Sequence, residues 1–141
     1  MGGDAILIEY RLGNELRLEE VLDVYRACSL GARRPVDDVE RMREMLANAD
    51  IVVTAWDGPL MVGIARSISD FRYATYLSDL AVRETHQRAG IGKELIRRTQ
   101  AEAPQARIIL LSAPAAVDYY PHIGMTRHDS CWMLAPGETL K

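Results

Sequence analysis

Residues 76–103, YLSDLAVRETHQRAGIGKELIRRTQAEA, decide the fold of this chain. The segment predicts an apolar strand over residues 76–82, a short polar turn, a glycine-bearing loop and an amphipathic helix over residues 90–103. The helix is indicated by side chains that share one face at helical spacing, namely Ile91, Leu95, Ile96, Thr99 and Ala103. Pro104 marks the end of this helix.

The loop at residues 87–92 has the features of an anion site. Gly90 and Gly92 allow the main chain to approach a ligand without hindrance from a Cβ atom. The first turn of the following helix offers unpaired N–H groups at the positive end of the helix dipole. The junction therefore predicts a site for a phosphate-bearing group such as a pyrophosphate.

Two common phosphate-binding motifs do not fit this loop. A Walker loop would need glycine at position 87 and serine or threonine at position 94, where the chain has Gln87 and Glu94. A dinucleotide fingerprint would need a third glycine at Leu95 and an acidic residue about 20 positions further on. The chain has Leu110 and Leu111 in that region.

The composition is typical of a globular protein. With 141 residues, 48% hydrophobic and 26% charged, we expect one domain over residues 1–141. The net charge of −3 argues against binding to nucleic acid. No apolar run reaches the length of a membrane span, and the N-terminus lacks the layout of a signal peptide. We therefore expect a cytoplasmic protein that does not bind a membrane.

The cysteines and histidines are spaced too widely to predict a metal site. One disulfide between Cys28 and Cys131 is possible, but two buried free thiols are expected, because Cys28 lies on an apolar helix face. His86, His122 and His128 are scattered, so no metal is predicted. His86 and its neighbour Glu84 lie in the polar turn, where we expect both side chains to be solvated.

The remaining elements are predicted outward from the central segment. Strands are predicted over residues 5–10, 51–56, 60–68, 73–82, 107–113, 125–127 and 130–134, and helices over residues 18–28, 36–48 and 115–120. Gly31 is expected as the C-cap of the first helix. Asp57-Gly58 predicts an antiparallel hairpin. The apolar run 107–113 predicts a strand buried on both faces and paired in parallel with strand 73–82 through a right-handed crossover.

A second motif, YYPHIGM, lies at residues 119–125. Gln-x-x-Gly-x-Gly at residues 87–92 resembles the acyl-CoA-binding motif of the GNAT superfamily of N-acetyltransferases. The second motif is similar to that family's aromatic-Tyr-x-x-Leu-Gly-Phe segment, with Ile for Leu and Met for Phe. The resemblance covers nearly the whole chain. It implies an α/β GNAT fold, with a mixed, mainly antiparallel sheet, a central parallel βαβ pair and helices on both faces.

The resemblance also implies a reaction, the transfer of an acetyl group from acetyl-CoA to a primary amine of a small molecule by direct attack on the thioester. The residues that would bind coenzyme A are Gln87, Arg88, Ala89, Gly90, Ile91, Gly92 and Lys93 in the loop and the main chain of Leu80, Ala81 and Val82 on the strand. The loop amides would hold the pyrophosphate. The strand main chain would bind the pantetheine and polarise the thioester carbonyl.

Two side chains are candidates for proton transfer. Tyr120 matches the family's tyrosine that protonates the leaving thiolate, and the ordinary pKa values of a thiol and a phenol, about 8.5 and 10, suit that transfer. Asp79, among apolar residues on the central strand, is a candidate base with a raised pKa. Ala113 departs from the family, many members of which have a polar side chain there.

The acceptor is less well defined by the sequence. Tyr25, Arg34, Asp70 and Tyr73 are expected to line a groove for it, and Asp70 is a second candidate base. Residues 33–70 also resemble a small bacterial and plastid subgroup related to plant serotonin N-acetyltransferases. That resemblance implies an arylalkylamine or a similar amine as substrate.

The sequence is also compatible with other functions. One alternative is a protein or peptide N-acetyltransferase, for which no feature of the sequence argues. Another is a non-catalytic acyl-CoA-binding sensor module, against which Tyr120 argues and which Ala113 leaves open. A C2 homodimer is expected from the frequency of such dimers alone.

Overall fold

The computed structural model describes residues 7–141 and contains one mixed sheet with helices on both faces. The strands are β1 (Ile8–Leu12), β2 (Ile51–Asp57), β3 (Leu60–Ser69), β4 (Ala74–Val82) and β5 (Arg107–Ile109). The helices are α1 (Leu18–Arg26), α2 (Val39–Ala47), α3 (Ile91–Glu102) and α4 (Tyr119–His122), and 3-10 turns cover Ser29–Arg33, Glu84–His86 and Pro114–Ala116. The strands lie in the order β1-β2-β3-β4-β5.

The strand pairing confirms the predicted fold class. β1, β2, β3 and β4 are successively antiparallel, and only β4 and β5 are parallel within the described sheet. The hairpin predicted from Asp57-Gly58 joins β2 to β3, and Gly58 has a positive φ of 57° that suits glycine. The strand β4, helix α3 and strand β5 form the predicted βαβ unit.

The chain divides after Leu111 into two compact units. The first contains the sheet and helices α1 to α3, and the second contains the turn Pro114–Ala116 and helix α4. The single domain over residues 1–141 stays a prediction. No helix among residues 7–141 is both long enough and apolar enough to cross a membrane.

Each face of the sheet has its own core, because side chains alternate along the strands. Helices α1 and α2 bury Val24 and Met42 against one face, which includes Ile64 of β3. Helix α3 buries Leu95 against the other face, which includes Ala65 of β3. The two faces of a single sheet thus account for the nearly continuous apolar sequence of β2 and β3.

Gly63 lets helix α3 pack closely on strand β3. A Cβ atom at this position would lie 3.2 Å from the Ala81 carbonyl oxygen, 3.2 Å from Leu95 Cδ1 and 3.3 Å from Ile91 Cγ2. These distances are shorter than ordinary van der Waals contacts between carbon atoms. The position of α3, and of the loop at its N-terminus, therefore depends on the absence of a side chain at Gly63.

Strand β4 has a bulge at Ser78, next to the point where β5 separates from it. Arg66 pairs with Asp79 and the next β3 residue, Ser67, pairs with Leu77, so Ser78 is an extra residue in β4. The parallel ladder with β5 ends at Tyr76 and Ile109, whereas β4 continues to Val82. Residues 77–82 therefore extend beyond the end of β5.

Three predicted elements of the first unit differ from the structure. Strand β5 ends at Ile109, and it is partly exposed because it is the last strand of the described sheet, so burial on both faces is wrong. Helix α2 begins at Val39 because the Asp38 side chain caps it by accepting a hydrogen bond from Arg41 N. Helix α1 ends at Arg26, and Gly31 instead allows a close approach to the Tyr25 carbonyl.

The predicted C-terminal hairpin is also wrong. Residues 125–135 are described and contain no strand; local side chains take some of their N–H groups, as where Ser130 N donates to His128 Nδ1. Cys131 is exposed rather than buried, while Cys28 is half-buried, and both are free thiols. The start of the first predicted strand, residues 5 and 6, lies outside the described residues.

The close packing at Gly63 leads to a test of the fold. Gly63→Val should lower the free energy of unfolding by about 1–3 kcal/mol, because the added atoms overpack the contact between β3 and α3. Urea denaturation measures this change. Unchanged stability would mean that α3 can shift away from the sheet at little cost, and its N-terminal loop would then not be held rigidly.

Candidate active site

The end of strand β4 presents main chain that β5 does not cover. Leu80 and Val82 are half-buried, while the Ala81 side chain is buried in the core beneath α1 and α2. The Gln87 side chain returns to the strand, where its Nε2 donates to the Val82 carbonyl at 2.9 Å. Gln87 therefore fixes the exit of the strand relative to the loop that follows.

The loop at residues 87–92 has two left-handed residues. Arg88 has a φ of 65° and Gly90 a φ of 81°. The left-handed conformation costs a non-glycine residue about 1–2 kcal/mol, and such strain concentrates at functional sites. A Cβ atom at Gly90 would meet nothing within 4 Å, so open space lies beside the loop.

The loop leads directly into helix α3 and orients its first amides. Gly90 is the N-cap of α3, and its carbonyl accepts the first helical hydrogen bond, from Glu94 N at 3.1 Å. The N–H groups of Ile91, Gly92 and Lys93 precede that bond, so they have no acceptor within the helix. Successive N–H groups beside a left-handed residue are suited to an anion, and the phosphate site itself stays a prediction.

The turn before the loop is held by contacts that the sequence does not predict. The sequence predicts a solvated His86, but its Nε2 lies 2.9 Å from an Asp57 carboxylate oxygen in the β2–β3 turn. Its Nδ1 lies 2.7 Å from the Thr85 hydroxyl. Arg83 donates to the Met61 carbonyl at 2.7 Å. Because Asp57 and Met61 lie in the β2–β3 hairpin, no pattern local to residues 83–86 predicts these two contacts.

Asp79 lies at the centre of a buried polar cluster, which we define as Tyr25, Arg34, Arg66, Ser78 and Asp79. Its Oδ1 accepts a hydrogen bond from Arg34 Nε at 2.6 Å. Its Oδ2 accepts from Arg66 Nε and from the Tyr25 hydroxyl, each at 2.6 Å. Ser78 Oγ lies 3.3 Å from Oδ1. The carboxylate is fully buried and both of its oxygens are occupied.

The electrostatics of the cluster contradict the expected raised pKa of Asp79. Burial alone would raise the pKa of this carboxyl, but the hydrogen bonds and charge of Arg66, with help from Tyr25 and Arg34, hold it below its ordinary value. Burial and the neighbouring carboxylate raise the pKa of Tyr25. Asp79 is therefore ionised and a poor proton acceptor at neutral pH.

Two residues predicted to line the acceptor groove, Tyr25 and Arg34, instead belong to this cluster. Tyr25 is buried in the core with its hydroxyl on Asp79, so it does not line an open groove. Arg34 uses its guanidinium on Asp79 and on the carbonyls of Ser78 and Arg33. Their partners lie 54 and 45 positions away, a separation that periodicity cannot anticipate.

The other two acceptor candidates are exposed at the start of strand β4. Asp70 accepts hydrogen bonds from the main-chain N–H groups of Arg72, Tyr73 and Ala74, and these bonds lower its pKa. The carboxylate of Asp70 thus holds the turn rather than serving as a base. The Tyr73 ring is exposed, with the Arg107 guanidinium 5.1 Å from its centroid.

Tyr120 lies in the second compact unit, in the short helix α4. The rings of Tyr119 and Tyr120 pack edge to face with their centroids 5.2 Å apart. The Tyr120 carbonyl accepts from Ile123 N at 3.2 Å and from Met125 N at 3.0 Å. These bonds close the turn at Gly124, whose φ of 99° explains the glycine in the motif.

The Asp79 cluster yields a prediction on stability. Asp79→Asn should lower the free energy of unfolding by about 3–5 kcal/mol at pH 7, because it leaves two guanidinium groups without their buried counter-charge. The folded-state pKa of Asp79 lies below its unfolded value. The loss should therefore be complete above about pH 4 and shrink as the pH falls through the folded-state pKa. Urea denaturation across pH measures it.

Asp37→Asn is the matched control, because the Asp37 side chain is 98% exposed and pairs with Arg26 at 3.3 Å. An exposed pair of this kind contributes less than about 1 kcal/mol. Equal losses in the two variants would show that Asp79 is not the buried anchor described above.

Comparison with known proteins identifies the family. A family model described as an acetyltransferase (GNAT) domain matches residues 27–131. An uncharacterized N-acetyltransferase, ycf52-like, from Prochlorococcus marinus is 28% identical over 119 residues. That match covers 79% of this chain and 62% of the relative, so the chain spans less than two thirds of the relative's length.

Solved structures share the fold. The GNAT family protein SP0256 from Streptococcus pneumoniae TIGR4 has a TM-score of 0.75 at 23% identity, covering 92% of this chain and 97% of that one. Aminoglycoside N-acetyltransferase AAC(6')-Iy in complex with CoA has a TM-score of 0.72 at 16% identity, covering 96% and 98%. Aminoglycoside acetyltransferase meta-AAC0020 from an uncultured soil metagenomic sample, in complex with sisomicin, has a TM-score of 0.68 at 20% identity, covering 95% and 97%.

The family match extends over most of the chain and includes both the glycine loop and the Tyr120 segment. The chain belongs to the GNAT acetyltransferase family.

Proposed function

We propose that this protein transfers an acetyl group from acetyl-CoA to a primary amine of a small molecule. The observation that carries the proposal is the left-handed loop at residues 88–90, which opens helix α3 directly after the uncovered end of strand β4. The loop end of such a site suits a phosphate, and the strand end suits a chain that contains amide groups. Coenzyme A has both groups.

The loop would hold the pyrophosphate through main-chain groups. The amides from Arg88 to Lys93 include the first turn of α3, where the helix dipole favours negative charge. Gln87 supports the loop through its hydrogen bond to the Val82 carbonyl. Ala89 is exposed, and its small side chain does not obstruct the loop amides. The open space beside Gly90 leaves room for the phosphate oxygens.

The main chain of β4 would bind the pantetheine arm as an added strand would. Residues 77–82 lie beyond the end of β5, so main-chain groups of Leu80, Ala81 and Val82 are proposed for such a ladder, except the Val82 carbonyl, which accepts from Gln87. Bound acetyl-CoA supplies the acetyl group as a thioester. An N–H group of the same strand would polarise the thioester carbonyl in this low-dielectric setting.

Tyr120 is the proposed proton donor to the departing thiolate. A phenol with a pKa near 10 can protonate a thiolate whose conjugate acid has a pKa near 8.5 when the site excludes water. The motif at residues 119–125 supports this role. Ala113 contributes no polar contact, which leaves binding of the pantetheine to the main chain of β4.

The acceptor would reach the site as a neutral amine. Asp79 is paired and Asp70 holds its turn, so neither carboxylate is proposed as a base. A free alkyl amine has a pKa near 10.4, and it would release its proton to solvent before attack. Two similar structures are aminoglycoside acetyltransferases, and Tyr73 offers an exposed ring. We therefore propose small amines, including arylalkylamines, as acceptors.

Thermal unfolding with acetyl-CoA tests the binding step. Ligand at about 100 times its Kd stabilises the folded state by about 2.7 kcal/mol, which should raise the midpoint by about 5–10 °C. Gly90→Leu should reduce affinity at least tenfold, because its side chain enters the space beside the loop. No shift of the wild-type midpoint at millimolar acetyl-CoA would contradict the proposal.

Gly58→Leu is the matched control for the loop variant. Gly58 also has a positive φ and open space at its Cβ position, but it lies in the β2–β3 turn. Both variants should lose similar stability through backbone strain. Equal affinities for acetyl-CoA in the two variants would show that residues 87–92 do not bind the phosphate.

A thiol-release assay over a panel of amines tests the reaction and the role of Tyr120. Tyr120→Phe should lower kcat about 100-fold or more, while the Kd for acetyl-CoA changes less than threefold, because a general acid acts in the transition state. Tyr119→Phe is the control and should retain kcat. Wild-type kinetics in Tyr120→Phe would remove this hydroxyl from the mechanism.

A further inference from the structure

The buried cluster around Asp79 holds the bulge of strand β4 at both its side chain and its main chain. Arg66 Nη2 donates to Ser78 Oγ at 2.9 Å, and Arg34 Nη2 donates to the Ser78 carbonyl at 2.7 Å. Ser78 is the extra residue of the bulge. Two guanidinium groups from different parts of the chain therefore hold the same residue.

The charges of the cluster show that Arg34 is not required for neutrality. Arg66 alone balances the Asp79 carboxylate, and its side chain is 7% exposed in the same core. Arg34 adds a second positive charge and is 20% exposed. Its distinctive contribution is the fork from Nε to Asp79 and from Nη2 to the Ser78 carbonyl. A bidentate guanidinium of this kind fixes direction as well as charge.

The bulge lies where it can set the course of the uncovered strand. The ladder to β5 ends at Tyr76, two residues before Ser78, and residues 80–82 follow it. A bulge bends its strand and increases the local twist. The orientation of the Ser78 carbonyl therefore influences where the main chain of residues 80–82 lies.

We propose that Arg34 is a positioning residue for the thioester-binding main chain. Its guanidinium clamps the Ser78 carbonyl to the Asp79 carboxylate and so sets the path of residues 80–82. This inference rests on the proposed function, because it assigns a catalytic use to that main chain. Displacement of the amide that faces a reacting group by about 1 Å can cost about 100-fold in rate.

Kinetics of Arg34 variants test the proposal. Arg34→Ala should lower kcat at least tenfold and by a larger factor than it raises the Kd for acetyl-CoA, because residues 80–82 shift while the loop at residues 87–92 is intact. Millimolar guanidinium should restore part of kcat, since the site is partly exposed. Arg34→Lys should keep the positive charge but not the fork, so its kcat should remain low. Wild-type kcat in Arg34→Lys would overturn the role of the fork.

Arg43→Ala is the matched control, because Arg43 is exposed and pairs with Glu40 in helix α2. It should retain kcat and show no response to guanidinium. Arg34→Ala is assayed at temperatures at which the variant is fully folded. Wild-type kcat at those temperatures would show that Arg34 only stabilises the fold, and would overturn the proposal.

A readout without substrate separates this inference from the proposed function. In the ligand-free protein, Arg34→Ala should shift the amide resonances of residues 78–82 in ¹⁵N–¹H spectra, whereas Arg43→Ala should not. Unchanged resonances at residues 80–82 would overturn the positioning role. Shifted resonances without thiol release from any amine in the wild-type protein would instead contradict the proposed function and leave the clamp on the strand supported.

Discussion

The buried carboxylate of Asp79 is the constraint on which the first unit depends. A charge removed from water is costly unless hydrogen bonds and opposite charge compensate for it. The compensation comes from helix α1 through Tyr25, from the segment after the first 3-10 turn through Arg34, and from strand β3 through Arg66. Folding therefore has to bring all three to the bulge of β4, which fixes the helical layer over that face of the sheet.

The other face of the sheet is fixed by packing rather than by charge. Helix α3 lies close to β3 because Gly63 has no side chain, and Leu95 fills the contact. The loop at residues 87–92 leads directly into that helix, so its position follows from the packing. The two halves of the proposed site thus have different supports, an ion cluster beneath β4 and an apolar contact beneath α3.

The same distinction explains what could be predicted from the sequence. The hairpin at Asp57-Gly58, the βαβ unit and the loop at Gly90 have local signals of turn chemistry and periodicity, and the structure contains them. The sequence places Asp79 among apolar neighbours, a pattern that predicts a raised pKa. Its actual partners come from three other segments of the chain, and only the fold assembles them. An apolar run such as residues 107–113 similarly gives no information on where pairing stops.

The pKa of Asp79 is lowered rather than raised, and this changes the chemistry that strand β4 can perform. A carboxylate held ionised by two guanidinium groups gains little by accepting a proton, because protonation would leave both cations uncompensated. Asp79 thus acts on the strand as a buried anchor rather than as a base, because its carboxylate binds the two guanidinium groups that hold the bulge of β4.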